Sequence, residues 1–201
     1  MTVAVLAVFA ASRWPNLMPL NFSMAYAIAF CSGAFARRLP WQAALFVLVV
    51  TDVIKNVLYY HAPAFNAFTL INYAAFAAIF ALGRLAGPRL SSLKQAAGGM
   101  AGALLFYLIT NTGAWLQNPE YTKTLSGWFQ ALTTGTAGWP QTWEFFRNTL
   151  LSGGLFTGIL AAVFHAVEPE AHETDEETDT ASEPASEAAE HGAESTAAPN
   201  R

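Results

Sequence analysis

The chain has 201 residues, of which 54% are hydrophobic and only 12% charged. A soluble domain carries about 25% charged residues, so this composition leaves too little charged surface to clothe one. The charge is also divided: residues 1–167 hold nine Lys/Arg against three acids (Asp52, Glu120 and Glu144), whereas residues 168–201 hold eleven acids and a single base, Arg201. The two parts therefore carry +6 and −10, which the net charge of −4 conceals. An apolar, acid-poor body joined to an acidic tail is the pattern of an all-α, polytopic membrane helix bundle with a solvated tail. The lone Cys31 excludes a disulfide within the chain and a cysteine-based metal site.

A bilayer core of about 30 Å needs about 20 mostly apolar residues per helix. Residues 3–11 are apolar and small-residue-rich without the basic opening of a secretory signal, and are expected to form a short first membrane helix rather than a cleaved leader. The stretch Arg13-Trp14-Pro15-Asn16 follows, with Pro19 and Asn21 close behind. Two prolines four apart forbid a regular helix. Such backbone is tolerated at membrane depth only where it is buried in protein or faces a wet cavity, so a re-entrant substrate loop and an interfacial turn are both open.

Residues 25–36 form a second apolar run closed by Arg37-Arg38-Leu39-Pro40, and residues 41–60 a third, broken by Asp52, Lys55 and Asn56. The fourth, 67–85, is ended by Gly87-Pro88; the fifth, 96–116, opens with Gly98, Gly99 and Gly102, small residues that let helices approach closely. Between the fifth run and a sixth at 149–167, Leu125, Trp128, Phe129 and Leu132 fall at helical spacing, which predicts an amphipathic helix on the interface or tucked into the bundle. About six spans are thus expected within a domain of residues 1–167. Arg37, Arg38, Arg84, Arg89 and Lys94 would then share one face, against Arg13, Lys55 and Lys123 on the other; the more basic face is expected to be cytoplasmic, and the C-terminal tail with it. The tail, 168–201, has no aromatic or β-branched aliphatic residue; unable to bury enough apolar surface to offset ordering entropy, it is expected to be a disordered spacer.

Charge inside a bilayer costs roughly 2.5–3.5 kcal/mol on insertion scales, so intramembrane polar residues are site candidates. Asp52 is the sole acid within the five long apolar runs, and Lys55 and Asn56 share its helix face. Two readings stand: a proton- or cation-responsive carboxylate lining a cavity, or an Asp52–Lys55 pair or an Asp52 bond to another helix that fixes packing. Asn111, Thr112 and Trp115 close the fifth run, while Asn148 and Thr149 open the sixth. Such groups suit a small ligand or plain interhelical hydrogen bonds. No nucleophile–base pair, paired carboxylates, phosphate loop or metal-ligand spacing is visible, so neither an enzyme nor a cofactor is expected. The scattered basic residues argue against nucleic acid.

The ordered motifs carry a resemblance. Arg13-x-Pro15-Asn16-x-x-Pro19, Gly33-Ala34-Phe35, the helix bearing Asp52, Thr110-Asn111-Thr112-Gly113-Ala114-Trp115, Tyr121-x-x-Thr124-x-x-Gly127 and Phe145-Phe146-Arg147-Asn148-Thr149-Leu150 together resemble a bacterial integral-membrane family of unassigned function that is grouped with transport proteins. It covers about residues 11–166. Ser152-Gly153-Gly154 stands where that family carries an acid, and residues 139–144 separate a Pro from Phe145-Phe146 that the family keeps adjacent. The six-helix plan also resembles, at fold level, the substrate-binding components of energy-coupling-factor transporters. A multi-pass protein of the inner membrane that transports or captures a small molecule is therefore expected; polar residues gathered at corresponding ends of the apolar runs put Arg13, Asn16, Asp52, Asn111, Thr112, Trp115, Asn148 and Thr149 in its site. The competing expectation is a structural or assembly subunit that packs against a larger membrane complex and binds no solute.

Overall fold

Each apolar run becomes helical in the computed structural model, which describes residues 1–167. The expected disordered tail, 168–201, lies outside the described residues. In order the helices are α1 (Thr2–Ser12), α2 (Ala25–Ala34), α3 (Trp41–Ile54), α4 (Ala67–Ala86), α5 (Ser92–Gln117), α6 (Leu125–Leu132) and α7 (Thr142–Ala166), and α3 runs on as a π-helical turn over Lys55–Tyr59. Among the described residues there is no strand.

Local chemistry sets the boundaries. Pro40 bars its predecessor from the helical region and starts α3. Asn66 and Thr69 close a reciprocal capping box at the start of α4. At the other end of α4, Gly87 takes a φ of 66°, open to glycine at no steric cost, and Pro88 prevents continuation. In the loop after α1, Asn16 and Asn21 adopt φ of 64° and 59°, values that asparagine tolerates better than most residues. The loop thus turns sharply where Pro15 and Pro19 already exclude helix.

Among the described residues, three helices are long and apolar enough to cross a membrane: Trp41–Tyr59, Ala67–Ala86 and Thr142–Ala166. Six were expected. The helix α5 has the length, at 26 residues, but Gly, Thr and Asn dilute its apolar character. The helices α1 and α2 have 11 and 10 residues, which at 1.5 Å per residue cover only about half of a bilayer core. The outer faces of the long helices expose Phe46, Leu70, Leu85, Leu155 and Ile159. Together with the length of these helices, such exposed apolar side chains point to membrane association.

The helices alternate in direction. The Thr2 hydroxyl donates to the Arg38 carbonyl at 2.8 Å, so α1 begins at the α2–α3 turn. The His165 ring, near the end of α7, lies 3.2 Å from the Ser92 hydroxyl at the start of α5 and 2.9 Å from the Pro88 carbonyl. The start of α1 and the end of α7 therefore share the face that carries Arg37, Arg38, Arg84, Arg89 and Lys94. Arg13, Lys55 and Asn148 lie at the other face, where Asn148 Nδ2 donates to the Leu20 carbonyl at 3.0 Å.

The short α2 sits at the centre, with every residue but Ala29 buried. It crosses α4 at Gly33 and Gly83, where a Cβ on either would overlap the opposing backbone carbonyl, Phe80 or Phe30. A second close crossing joins α5 to α7 through Gly99 and Gly153. Aromatic rings fill the rest: Tyr26, Phe76 and Phe106 cluster with centroids 4.8–6.1 Å apart, and Phe35 meets Phe164 at 5.0 Å. Small residues bring the backbones together and aromatics occupy the remaining volume.

Candidate functional site

The helix α3 packs on α1 and α2, and α4 packs on α2. Between α3 and α4 this leaves a groove of about 480 Å³. Ala25, Ile28, Ala29 and Ser32 of α2 form its floor; Trp41, Ala44, Leu45 and Leu48 of α3 and Tyr73, Phe76, Ala77 and Phe80 of α4 form its walls, with Phe9 of α1 at one corner. The Ser32 hydroxyl is occupied by the Ala29 carbonyl at 3.0 Å, so Tyr73 supplies the one uncommitted hydroxyl in this lining.

The two ends of the groove contrast. At one, the Trp41 and Phe80 rings close together with centroids 6.4 Å apart. Just beyond the other, next to Phe9, Leu48 and Tyr73 but outside the lining itself, stands a charged cluster. Arg13 Nη2 donates to Asp52 Oδ1 in an ion pair whose side chains are only 9% and 15% exposed. Lys55 Nζ reaches the same Asp52 oxygen at 3.2 Å. Lys55 opens the π-helical turn that ends α3, a departure from α-helix often found at functional sites.

Three elements carry the groove up to this cluster. Leu48 lies one turn before Asp52 on α3, Arg13 Cζ sits 5.8 Å over the Phe9 ring, and the Tyr73 hydroxyl approaches Asp52 without completing a hydrogen bond. Arg13 Nε is also buried without a partner. One carboxylate here faces two cations, and the arrangement leaves net positive charge and unpartnered polar atoms beside an apolar space.

The remaining polar residues named from the sequence do not join it. Asn16 Nδ2 donates to the Tyr59 hydroxyl at 2.8 Å, near the cluster but on the exposed side. Asn111 Nδ2 donates to the Tyr107 carbonyl of its own helix at 2.8 Å. The Thr112 hydroxyl accepts from Trp128 Nε1 at 2.9 Å, and Trp115 Nε1 donates to the Thr122 carbonyl at 2.8 Å. Lys123 caps the same corner by donating to the Trp115 and Asn118 carbonyls. Burial pushes the nearby Tyr121 hydroxyl above its ordinary pKa. Thr149 lies 3.5 Å from the Tyr26 hydroxyl, and Asn148 holds Leu20, as described. The structure thus joins Arg13, Asp52 and Lys55, while Asn111, Thr112 and Trp115 form a separate α5–α6 corner. Composition did not single out Tyr73, although a tyrosine within the apolar run 67–85 is itself a sign of a hydroxyl in need of a partner. Among the described residues no three His, Cys, Asp or Glu side chains gather as a metal site.

Residues 1–176 match a family described as "Family of unknown function (DUF6580)". The chain belongs to that family. No curated protein and no solved structure matches it. In this DUF6580 member Ser152, Gly153 and Gly154 are all buried, with Gly153 against Gly99 and Ala103 and Gly154 against Met100. Ser152-Gly153-Gly154, which stands where the resembled family carries an acid, is a helix-packing surface.

Proposed function

We propose that this protein is a membrane-embedded capture component for a small molecule, held in the groove between α3 and α4. One observation carries the reading: the Phe9, Leu48 and Tyr73 end of the groove adjoins, just outside its lining, a half-buried cluster of two cations and one carboxylate drawn from α3, its π-helical end and the loop after α1. A concave, largely apolar site with a few convergent polar groups is the ordinary form of a small-molecule site, and charge within a membrane domain marks a functional path by default. In the same reading α3, α4, α5 and α7 are the main membrane segments, with α1 and α2 as two shorter ones completing the six. The face bearing Arg37, Arg38, Arg84, Arg89 and Lys94 is cytoplasmic by the positive-inside rule.

The test uses chain purified in mild detergent, extracted with organic solvent and compared by mass spectrometry with Ala77→Phe, which fills the groove from its exposed wall. The reading predicts a stoichiometric small molecule that is lost from the variant. If no small molecule is released and a single large polypeptide co-purifies at one to one, the protein is an assembly subunit instead.

A further inference from the structure

The contrast between the two ends of the groove also selects a chemical class of ligand. We propose that the groove takes a single-chain amphiphile with one anionic head, a carboxylate on an apolar tail, whose head meets Arg13 and Lys55 while the tail lies on α2. The proposal rests on the capture reading and adds the head group to it.

Charge is the first argument. Asp52 offsets one of its two cationic neighbours, so the cluster keeps one positive charge that a monoanion would balance and a cation would oppose. In a low-dielectric surrounding that difference weighs far more than in water. Unused donors are the second argument. Arg13 presents five N–H donors and Lys55 three; Arg13 Nε and the Tyr73 hydroxyl are buried without partners, and the Arg13 side chain is 9% exposed. A carboxylate accepts from several donors at once, and this end of the groove offers them.

Shape is the third argument. From Trp41 to Leu48 on one wall and Tyr73 to Phe80 on the other, the groove follows seven residues of helix, about 10 Å at 1.5 Å per residue. A volume of about 480 Å³ lies in the lower half of the range of about 300–1,000 Å³ for small-molecule sites, which suits one narrow tail and not a two-chain phospholipid. The Trp41–Phe80 pair would stop the tail, and exposed Leu45 and Ala77 leave the side open for entry from the membrane.

The full chain is placed in phosphatidylcholine nanodiscs and labelled with dodecanoate carrying a diazirine in its tail; cross-links are then mapped. Unlabelled dodecanoate, dodecanol and dodecyltrimethylammonium compete. The proposal expects cross-links on the α3 and α4 walls, with dodecanoate competing about tenfold better than dodecanol, the scale of one charged hydrogen bond, and the cation not competing. Lys55→Gln, which keeps the Arg13–Asp52 pair, should make dodecanoate and dodecanol equal while a diazirine-tailed dodecanol still labels the groove. If dodecanoate and dodecanol compete equally in the unaltered protein, the head-group proposal fails and capture stands. If no tail of any head group labels the groove, both fail. If exchanging phosphatidylcholine for phosphatidylglycerol abolishes dodecanoate labelling, the occupant is a bilayer phospholipid and the proposal is overturned.

Discussion

Two polar clusters in this bundle use similar residue types to opposite ends. At the α5–α6 corner, the side chains of Asn111, Trp115 and Lys123 each donate to a nearby carbonyl, and the Thr112 hydroxyl accepts from the Trp128 indole. At the end of the groove, Arg13, Asp52 and Lys55 come from segments some forty residues apart, carry unequal charge and leave buried polar atoms unpartnered. A satisfied cluster fixes structure. One that is charged, unbalanced and beside an open volume has capacity left for a ligand. The difference lies in which groups remain unused, not in how polar the residues are.

Substitutions at each cluster can break that contrast. Asp52→Ala should have the largest effect, because it leaves Arg13 and Lys55 as uncompensated, largely buried cations. Losing one partner of such a pair costs on the order of 3–5 kcal/mol, visible as a large drop in thermal midpoint in detergent; an unchanged midpoint would show that the cluster is not an energetic unit. Next comes Gly83→Ala, whose Cβ would overlap the Phe30 carbonyl and push α4 from α2. Overpacking of this kind costs about 1–3 kcal/mol, and labelling of the groove should fall with the midpoint. Gly127→Ala meets the Thr122 carbonyl at the other corner and should lower the midpoint on the same scale of about 1–3 kcal/mol with groove labelling intact. Equal loss of labelling in both glycine variants would erase the distinction between the two regions. The smallest effect is expected from Thr112→Val, which removes the Trp128 hydrogen bond at a cost of about 0.6 kcal/mol, changes Trp128 fluorescence and leaves the groove untouched.

Much of the architecture is legible in the chain. Pro40, Asn66 and Gly87-Pro88 announce helix boundaries through backbone chemistry that operates locally. The basic residues 37–38, 84, 89 and 94 share one end of the bundle, as alternation of the apolar segments requires, and the spacing of Leu125, Trp128, Phe129 and Leu132 marks α6. Span number was harder to read: apolar character records burial in protein as well as burial in lipid, and α2, only 10 residues long, is apolar because other helices surround it. Asp52 stood out as a rare acid, and Lys55 follows from helical spacing. Its partner Arg13, 39 positions away, depends on tertiary placement that no local pattern records. The groove is equally invisible, since it arises where α3 and α4 both pack on α2 and meet each other at the Trp41–Phe80 pair. Asn111 and Asn148 are site candidates because they stand near the ends of their apolar runs, yet each is taken by a different backbone carbonyl.

The central claim is that the α3–α4 groove holds a small amphiphile against Arg13 and Lys55. Its most direct test is an experimental density map of the full chain in nanodiscs, purified without added ligand. The account predicts elongated density along α2 between α3 and α4, with its polar end within about 3 Å of Arg13 and Lys55 nitrogens. A groove filled by the protein's own side chains or by a partner helix, with Asp52, Asn111 and Asn148 instead facing one shared wet cavity, would contradict it.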